Sequence, residues 1–266
     1  MTYIALDLSD IALAAILVVL NGALSMALDL GVERRLAIAS GRMVVQLLLV
    51  GLVLKGLFAT KSLALTAAVA LAMVLFAGHE ILARQERRLS GWWAYGLGTG
   101  AMLVAASVVT VFALTTQLRP DPWYDPRYAV PLLGMVLGNT MTGISLGLNT
   151  LTNDLTLQRG AVEARLALGY DRRVATLPQL RRALRSALMP IVNSMAATGL
   201  VSLPGMMTGQ ILAGVEPVEA VKYQILIMFL IAGGTGLGAV AAVVGGVHRL
   251  TDTRHRIRLD RLGAGR

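Results

Sequence analysis

The chain contains no cysteine among its 266 residues. Disulfide frameworks, thiolate metal sites and cysteine nucleophiles are therefore excluded. Charged residues are also scarce, at 15% of the chain, and the three histidines form no ligand-spaced cluster. No Ser, His and Asp set lies at a plausible depth for a hydrolase, so we assign no catalytic residue. Metal ligands stay unknown at this point.

A phosphate-binding loop is missing as well. Such a loop needs a glycine-rich turn followed by Lys and then Ser or Thr. The Lys-Ser pair of this chain, Lys61-Ser62, follows Thr60 instead of glycine. We therefore expect no cofactor in this chain, and any ATP and Mg would be bound by a different polypeptide.

Apolar residues, by contrast, make up 56% of the chain, above the usual share in soluble domains. Since a membrane span needs about 20 apolar residues, the sequence predicts an all-α, polytopic membrane helix bundle. The predicted spans are about seven, with six as the alternative, because the second and third are short enough to form a re-entrant pair. They cover residues 8–28, 43–58, 62–78, 92–117, 128–151, 187–214 and 220–247.

Arginine-rich segments alternate with acidic or neutral ones along the chain. They follow the first, third and fifth predicted spans and fill the basic tail 248–266. Because cytoplasmic loops are enriched in Arg and Lys, we expect the N-terminus outside and the C-terminus in the cytoplasm of a multi-pass protein of the cell inner membrane. The net charge of +9 then reflects topology, so we expect lipid around the chain and no nucleic-acid partner.

The longest hydrophilic stretch covers residues 153–189, which we predict to be a cytoplasmic coupling or elbow segment. Within it, AVEARLALG at 161–169 predicts a short helix with Glu163 in its first turn and Gly169 as its stop. In residues 179–189, leucines recur every fourth position opposite arginines. This pattern predicts an amphipathic helix at the membrane surface that ends at Pro190.

The sixth predicted span is unusual because polar residues interrupt its apolar run, and Pro204-Gly205 breaks it. Polar side chains in a span are costly unless they face the bundle interior or a water-filled path. We therefore predict a broken helix that lines a passage, with close packing through small residues as an equal alternative. The candidate pathway residues are Asn139, Asn193, Ser194, Ser202, Pro204, Gly205, Met206, Met207, Thr208, Gln210 and Gln224.

Methionines gather in and near the fifth and sixth predicted spans. Thioethers favour soft ions such as Cu(I), but methionine also fills gaps between helices, and gap filling is our preferred interpretation. No intramembrane carboxylate stands out as a ligand for ferrous iron. If iron passes, we expect Asn, Gln, Ser and backbone oxygens to line its path, or iron to move as a complex.

The short helix at 161–169 resembles the start of the EAA loop of ABC transporter permeases, which forms the coupling helix that docks on the ATPase. Glu163, Ala164 and then Gly169 match that loop, whereas Arg165 and the absence of Leu-Pro after Gly169 depart from it. The resemblance implies an ATPase-coupling role for Glu163, Ala164, Leu166 and Gly169.

The string SLPGMMTGQILAG, which ends at Gly214, resembles the FetB family of ABC permeases, as do Tyr223 to Ile225 and Met228-Phe229. These are bacterial iron-export permeases related to plant aluminium-tolerance half-transporters, and the resemblance covers nearly the whole chain. It implies one transmembrane permease domain over 1–266 that is not an enzyme. It also implies a homodimer that works with two copies of a separate ATPase and exports iron or another metal ion.

Two other functions remain open. One is an ABC permease for a nucleotide-sugar cargo, because the resemblance is strongest in the helix framework. The other is an ATP-independent secondary transporter or channel, which would need a coupling-ion site, although the sequence shows neither an internal repeat nor a central acid.

Overall fold

The computed structural model describes residues 7–60, 62–252, 254 and 256–263. Lys61 and parts of the predicted tail 248–266 lie outside this range. The described residues form helices and no β-strand, which confirms the predicted polytopic α-helical class. The helices are α1 (Leu8–Ala27), α2 (Glu33–Thr60), α3 (Leu63–Ala83), α4 (Trp93–Phe112), α5 (Pro126–Leu157), α6 (Arg159–Ala167), α7 (Arg172–Ala197), α8 (Gly205–Leu212) and α9 (Pro217–Leu250).

The chain divides into two compact units, residues 1–61 and 62–266. In the first unit, Ser25 holds the turn between α1 and α2. Its hydroxyl donates to the Glu33 carboxylate at 2.9 Å and accepts from the Val32 amide at 3.2 Å. Helix α2 has 28 residues and is about 42 Å long at 1.5 Å per residue. It is a full-length helix, so the re-entrant alternative is wrong for this segment.

The second unit is centred on α5 and α9, which pack through small residues. A Cβ atom on Gly238 of α9 would lie 2.4 Å from Thr140 Cγ2 of α5, and one on Gly143 of α5 would lie 2.8 Å from Thr235 Cγ2 of α9. Each helix therefore receives a threonine from the other where it has a glycine. Small residues allow such close approach between helices in membranes.

Helices α5 and α9 run in the same direction. Arg127 and Glu219, near their starts, line one cavity, whereas Leu155 and Leu250, near their ends, share one apolar cluster. Between the end of α5 and the start of α9, the chain must therefore cross the unit in the opposite direction. Helices α7 and α8 together make this crossing. Within the part of the chain that the structure describes, six other helices are long and apolar enough to span a membrane, namely α1 to α5 and α9, with α4 extended by the π-helical turn Ala113–Leu118.

The predicted sixth span, 187–214, is thus two helices and not one. The predicted break is confirmed, but it starts before Pro204-Gly205. Helix α7 ends at Ala197, and Gly199 follows with a φ of +94°. The turn closes where the Gly199 amide donates to the Ser202 carbonyl at 2.9 Å.

The predicted surface helix over 179–189 is wrong in its ends and its packing. Helix α7 continues from Arg172 to Ala197 through Pro190. Its buried face is formed by Gln179, Ala183 and Ala187, while the predicted leucine stripe beside it is only half-buried. Ala187 packs against α5, where a Cβ on Gly147 would lie 3.2 Å from the Ala187 Cβ. This packing holds α7 helical although proline removes one backbone hydrogen bond.

An apolar cluster closes the end of the second unit where α5 and α9 finish. It collects residues from the loop after α3, from five helices and from the tail, which packs back onto that loop. The Ser90 amide donates to the Arg261 carbonyl at 2.7 Å, and the Gly263 amide donates to the Arg88 carbonyl at 2.8 Å. The fully enclosed members are Leu89, Leu151, Leu155, Val162, Ala175, Ala183, Val243, Val247 and Leu250. Arginine-rich segments of the second unit therefore meet at one end.

Candidate functional site

Helix α8 lies between two cavities of the second unit. Its first methionine, Met206, and Gln210 one turn later line a cavity of about 390 Å³ that we call the Arg–Glu cavity. Arg127 and Glu219 give it one cationic and one anionic side chain. Its full lining is Leu118, Arg127, Tyr128, Pro131, Leu132, Met135, Met206, Gln210, Val215, Glu219, Tyr223 and Ile227.

The second cavity, of about 490 Å³, lies on the other side of α8, and we call it the methionine cavity. Met207 lines it, although Met206 beside it lines the Arg–Glu cavity, because consecutive residues point in different directions on a helix. Its full lining is Met195, Thr198, Gly199, Leu203, Met207, Val221, Gln224, Ile225, Met228 and Phe229.

Each cavity contains a glutamine whose carbonyl oxygen has no hydrogen-bond partner. Gln210 Oε1 in the Arg–Glu cavity and Gln224 Oε1 in the methionine cavity are both buried without a partner among the described residues. A buried acceptor without a partner costs about 1–3 kcal/mol. Each oxygen is itself buried, so a ligand in the cavity would reach it after a turn of the glutamine side chain.

Other predicted pathway residues lie outside the two cavities. Asn139, Asn193, Ser194 and Ser202 are exposed on the surface of the unit. The Asn139 side chain donates to the Met135 carbonyl at 2.9 Å. The structure therefore separates the predicted pathway into cavity residues and surface residues.

The start of α8 is formed by three of the predicted pathway residues, Pro204, Gly205 and Thr208. Pro204 is the N-cap of this helix, and Gly205 is its first residue. The Thr208 hydroxyl donates to the Pro204 carbonyl at 3.2 Å, one turn back. This hydrogen bond satisfies the hydroxyl within its own helix.

The predicted coupling residues lie on α6 and its exit. Glu163, Ala164 and Gly169 are exposed, Leu166 is half-buried, and Val162 on the opposite side is fully buried in the apolar cluster. Gly169 has a φ of +88°, and it is the predicted stop. Its amide donates to the Leu166 carbonyl at 3.0 Å, and the Tyr170 amide donates to the Arg165 carbonyl at 3.2 Å. These two bonds form a Schellman motif, in which a left-handed glycine ends the helix.

Side-chain bonds fasten this segment to the end of α5. Arg182 Nε of α7 donates to Asp154 Oδ2 at 2.7 Å, and Gln179 Nε2 donates to Gln158 Oε1 at 3.0 Å. Arg165 Nη1 of α6 donates to the Ala175 carbonyl of α7 at 3.1 Å. Helices α5, α6 and α7 are therefore linked by polar contacts as well as by the apolar cluster.

The tail carries the perturbed carboxylates of this end. The Arg258 guanidinium donates two hydrogen bonds to Asp260, at 2.9 and 2.8 Å, and these lower the pKa of that carboxyl to about 2. The backbone amide of Arg256 is the main reason why the pKa of Asp252 is lowered. Both carboxylates therefore remain ionised well below neutral pH.

The described residues contain no group of three or more His, Asp or Glu that could hold a metal ion. Sequence reasoning missed Arg127, Glu219 and Tyr223 as cavity residues. The signal for Arg127 and Glu219 was weak, because both flank predicted outer loops and resemble ordinary loop charges, and Tyr223 was named only for the family resemblance. Sequence reasoning also treated Met195 and Met228 separately, because only the packing of α7 against α9 brings them to one cavity.

Comparison with known proteins identifies related sequences. A sequence profile described as "Uncharacterised protein family (UPF0014)" matches residues 8–251. The chain is 36% identical to the UPF0014 membrane protein STAR2 of Oryza sativa subsp. japonica over 85% of this chain and 78% of that protein. It is 34% identical to Protein ALUMINUM SENSITIVE 3 of Arabidopsis thaliana over 87% and 82%. It is 31% identical to the Probable iron export permease protein FetB of Escherichia coli (strain K12) over 95% of both. No solved structure matches.

Proposed function

Because the chain belongs to the UPF0014 family of membrane proteins, we propose that it is the membrane permease subunit of an ABC transporter in the cell inner membrane. The observation that supports this best is α6, which exposes Glu163 and Ala164 while Val162 anchors it from behind. A short helix with one anchored face and one free face suits docking into a groove of another protein. The proposed partner is a separate ATPase, present in two copies, which binds ATP and Mg.

The position of α6 supports a role in transmitting movement. Val162 belongs to the same apolar cluster as Leu155 of α5 and Val247 of α9. Because packed interiors transmit displacement and do not absorb it, movement of α6 by the ATPase would reach α5 and α9. Helix α9 lines both cavities beside α8, and α5 lines the Arg–Glu cavity. The chain itself acts as a transporter subunit and not as an enzyme.

The exposed polar residues support a homodimer. Gly143 of α5 faces Ala187 of α7. Asn139, one turn before Gly143, therefore lies near the level of Ile191, one turn after Ala187. Asn193 and Ser194 follow Ile191 on α7. Polar side chains facing lipid in the middle of a span are costly. A second copy that covers this surface would remove the cost and enclose a polar path between the subunits.

The cargo is proposed from the relatives and from the lining residues. One relative is named a probable iron export permease, and the amide and hydroxyl groups of the exposed surface could replace part of a metal ion's hydration shell. We therefore propose outward transport of iron or another metal ion. Weak, neutral ligands suit an exporter because the cargo must leave again.

Purification of the native chain together with the proteins bound to it tests the class. Glu163→Arg is expected to lower ATPase co-purification and ATP-driven metal uptake into inverted vesicles by about tenfold, the loss expected when an interface contact worth about 1.4 kcal/mol is removed. Asp121→Ala, in the exposed loop before α5 at the other end of the second unit, should leave both unchanged. If no ATPase accompanies the native chain, and an ion gradient without ATP drives flux, an ATP-independent transporter or channel replaces this proposal.

The absence of cysteine from the chain makes the dimer directly testable. Asn193→Cys should cross-link to itself in native membranes on mild oxidation, because its position lies in the proposed interface. Val104→Cys, on an exposed part of α4, is the matched control and should not cross-link. Equal cross-linking of both variants would contradict the proposed interface.

A further inference from the structure

Three methionines from three different helices converge on one cavity. Met195 lies near the end of α7, Met207 in α8 and Met228 in α9, and all three line the methionine cavity. Methionine commonly fills gaps between helices. Here, however, a space of about 490 Å³ remains open beside them. Gap filling therefore does not account for their convergence.

The remaining lining indicates which ligand this cavity would take. No Asp, Glu, His, Lys or Arg is among its lining residues. Hard ions such as Mg²⁺ and Mn²⁺ prefer carboxylate, carbonyl and water oxygens, whereas thioethers select soft ions. Three of the ten lining residues, Met195, Met207 and Met228, carry a thioether sulfur, so a soft ion is favoured.

The charge of the ion follows from the neutrality of the lining. Moving an ion out of water costs free energy that rises with the square of its charge. Nothing in the lining offers a formal negative charge to offset that cost. A monovalent ion is therefore favoured over a divalent one.

Gln224 gives a second, independent indication of a ligand. Its side chain is only 6% exposed, and its Oε1 has no hydrogen-bond partner among the described residues. Gln224 and Met228 are one turn apart on α9, and both line the cavity. A turn of the Gln224 side chain toward the cavity would give this buried oxygen a bound cation as its partner.

We propose that the methionine cavity binds a soft monovalent cation, Cu(I) or Ag(I), through the thioethers of Met195, Met207 and Met228. The Gln224 carbonyl oxygen adds a partial negative charge beside the ion. The site belongs to the chain alone and needs neither an ATPase nor transport. Its failure would leave the proposed permease function untouched.

Metal binding by the purified full-length chain tests this site. Ag(I), or Cu(I) competed against a chromophoric chelator, should bind at one ion per chain. Replacing the three cavity methionines with leucine keeps nearly the same volume and should weaken binding by more than about 100-fold, since losing the atoms that bind the metal costs more than losing groups that only orient them. The control replaces Met26, Met43 and Met73, which do not line this cavity, and should leave affinity unchanged.

A measurement on the unsubstituted chain covers the case in which the triple variant misfolds. Selenomethionine-labelled protein loaded with Ag(I) should show a selenium–silver distance in selenium-edge absorption spectra. Affinity should also stay constant between about pH 5 and 8, because thioethers need not lose a proton to bind metal. The proposal is overturned if the chain takes up no Ag(I) or Cu(I), if the control weakens binding equally, or if only oxygen or nitrogen surrounds the bound metal.

Discussion

The methyl group of Thr140 occupies the space that Gly238 leaves on the facing helix. A Cβ on Gly238 would approach Thr140 Cγ2 to 2.4 Å, with Ile144 Cδ1 next at 3.4 Å. Threonine is stiff about χ1 because it is β-branched, so its methyl cannot easily turn away. The contact between α5 and α9 therefore depends on this glycine.

Gly238→Ala is expected to destabilise the protein by about 1–3 kcal/mol, the usual cost of overpacking. Thermal unfolding in detergent measures this loss. Gly236→Ala is the matched control, since a Cβ there meets nothing within 4 Å. Adding Thr140→Ser should recover much of the loss by removing the methyl group, and a double-mutant cycle gives the coupling. Equal effects of Gly238→Ala and Gly236→Ala would contradict this packing.

Gly169→Ala is expected to loosen the end of α6 by about 1 kcal/mol or more, because a left-handed conformation is unfavourable for alanine. Hydrogen exchange of the Tyr170 amide, which donates to the Arg165 carbonyl, should accelerate accordingly. Gly160→Ala lies in the same helix without a positive φ or a nearby atom. It should instead stabilise α6 by about 0.5–1 kcal/mol. Slower exchange at Tyr170 in Gly169→Ala would refute the role given to this glycine.

Arg182→Gln should weaken the attachment of α7 to α5, since the charged contact with Asp154 at 2.7 Å disappears. The arginine side chain is 45% exposed, so we expect a loss of at most about 1 kcal/mol, decreasing as salt is added. Thermal unfolding at low and high ionic strength measures it. Arg181→Gln, at the exposed neighbouring position, is the control. A loss that persists unchanged at high salt would mean that packing, and not charge, attaches the two helices.

Acid should release the tail from the loop after α3. The pKa of Asp260 is lowered from 3.8 to about 2 by its bonds to Arg258, and a lowered pKa means that folding favours the ionised form. Its contribution is therefore complete above pH 3.8 and is lost as pH falls toward about 2. Exchange of the Ser90 amide, corrected for the intrinsic pH dependence, reports this release. Asp260→Asn should remove this part of the pH profile, and an unchanged profile would exclude Asp260 as its source.

The sequence predicted those features that depend on neighbouring residues. Apolar runs located the helices, and Gly169 located the end of α6, because both signals are local. The length and packing of α7 were mispredicted because they depend on Gly143 and Gly147, which belong to α5 and are distant in sequence. These glycines accept Ala187 and keep the chain helical beyond Pro190.

The two cavities were not predictable for a related reason. Met206 and Met207 are adjacent in sequence, yet they line different cavities. Their separation follows from the orientation of α8 between α5 and α9. No periodicity within the eight residues of α8 specifies that orientation. The sequence therefore predicted the candidate pathway residues as a single group and not as two cavities.

The contact between Leu89 and Leu262 has a consequence for synthesis of the chain. The loop after α3 emerges from the ribosome well before its partner, which follows α4 to α9 in the sequence. Until Leu262 has been made, Leu89 lacks the tail that packs on it, and apolar surface that stays uncovered is prone to aggregation. A chain released before Leu262 therefore displays at Leu89 the kind of surface by which quality-control proteins recognise incomplete products.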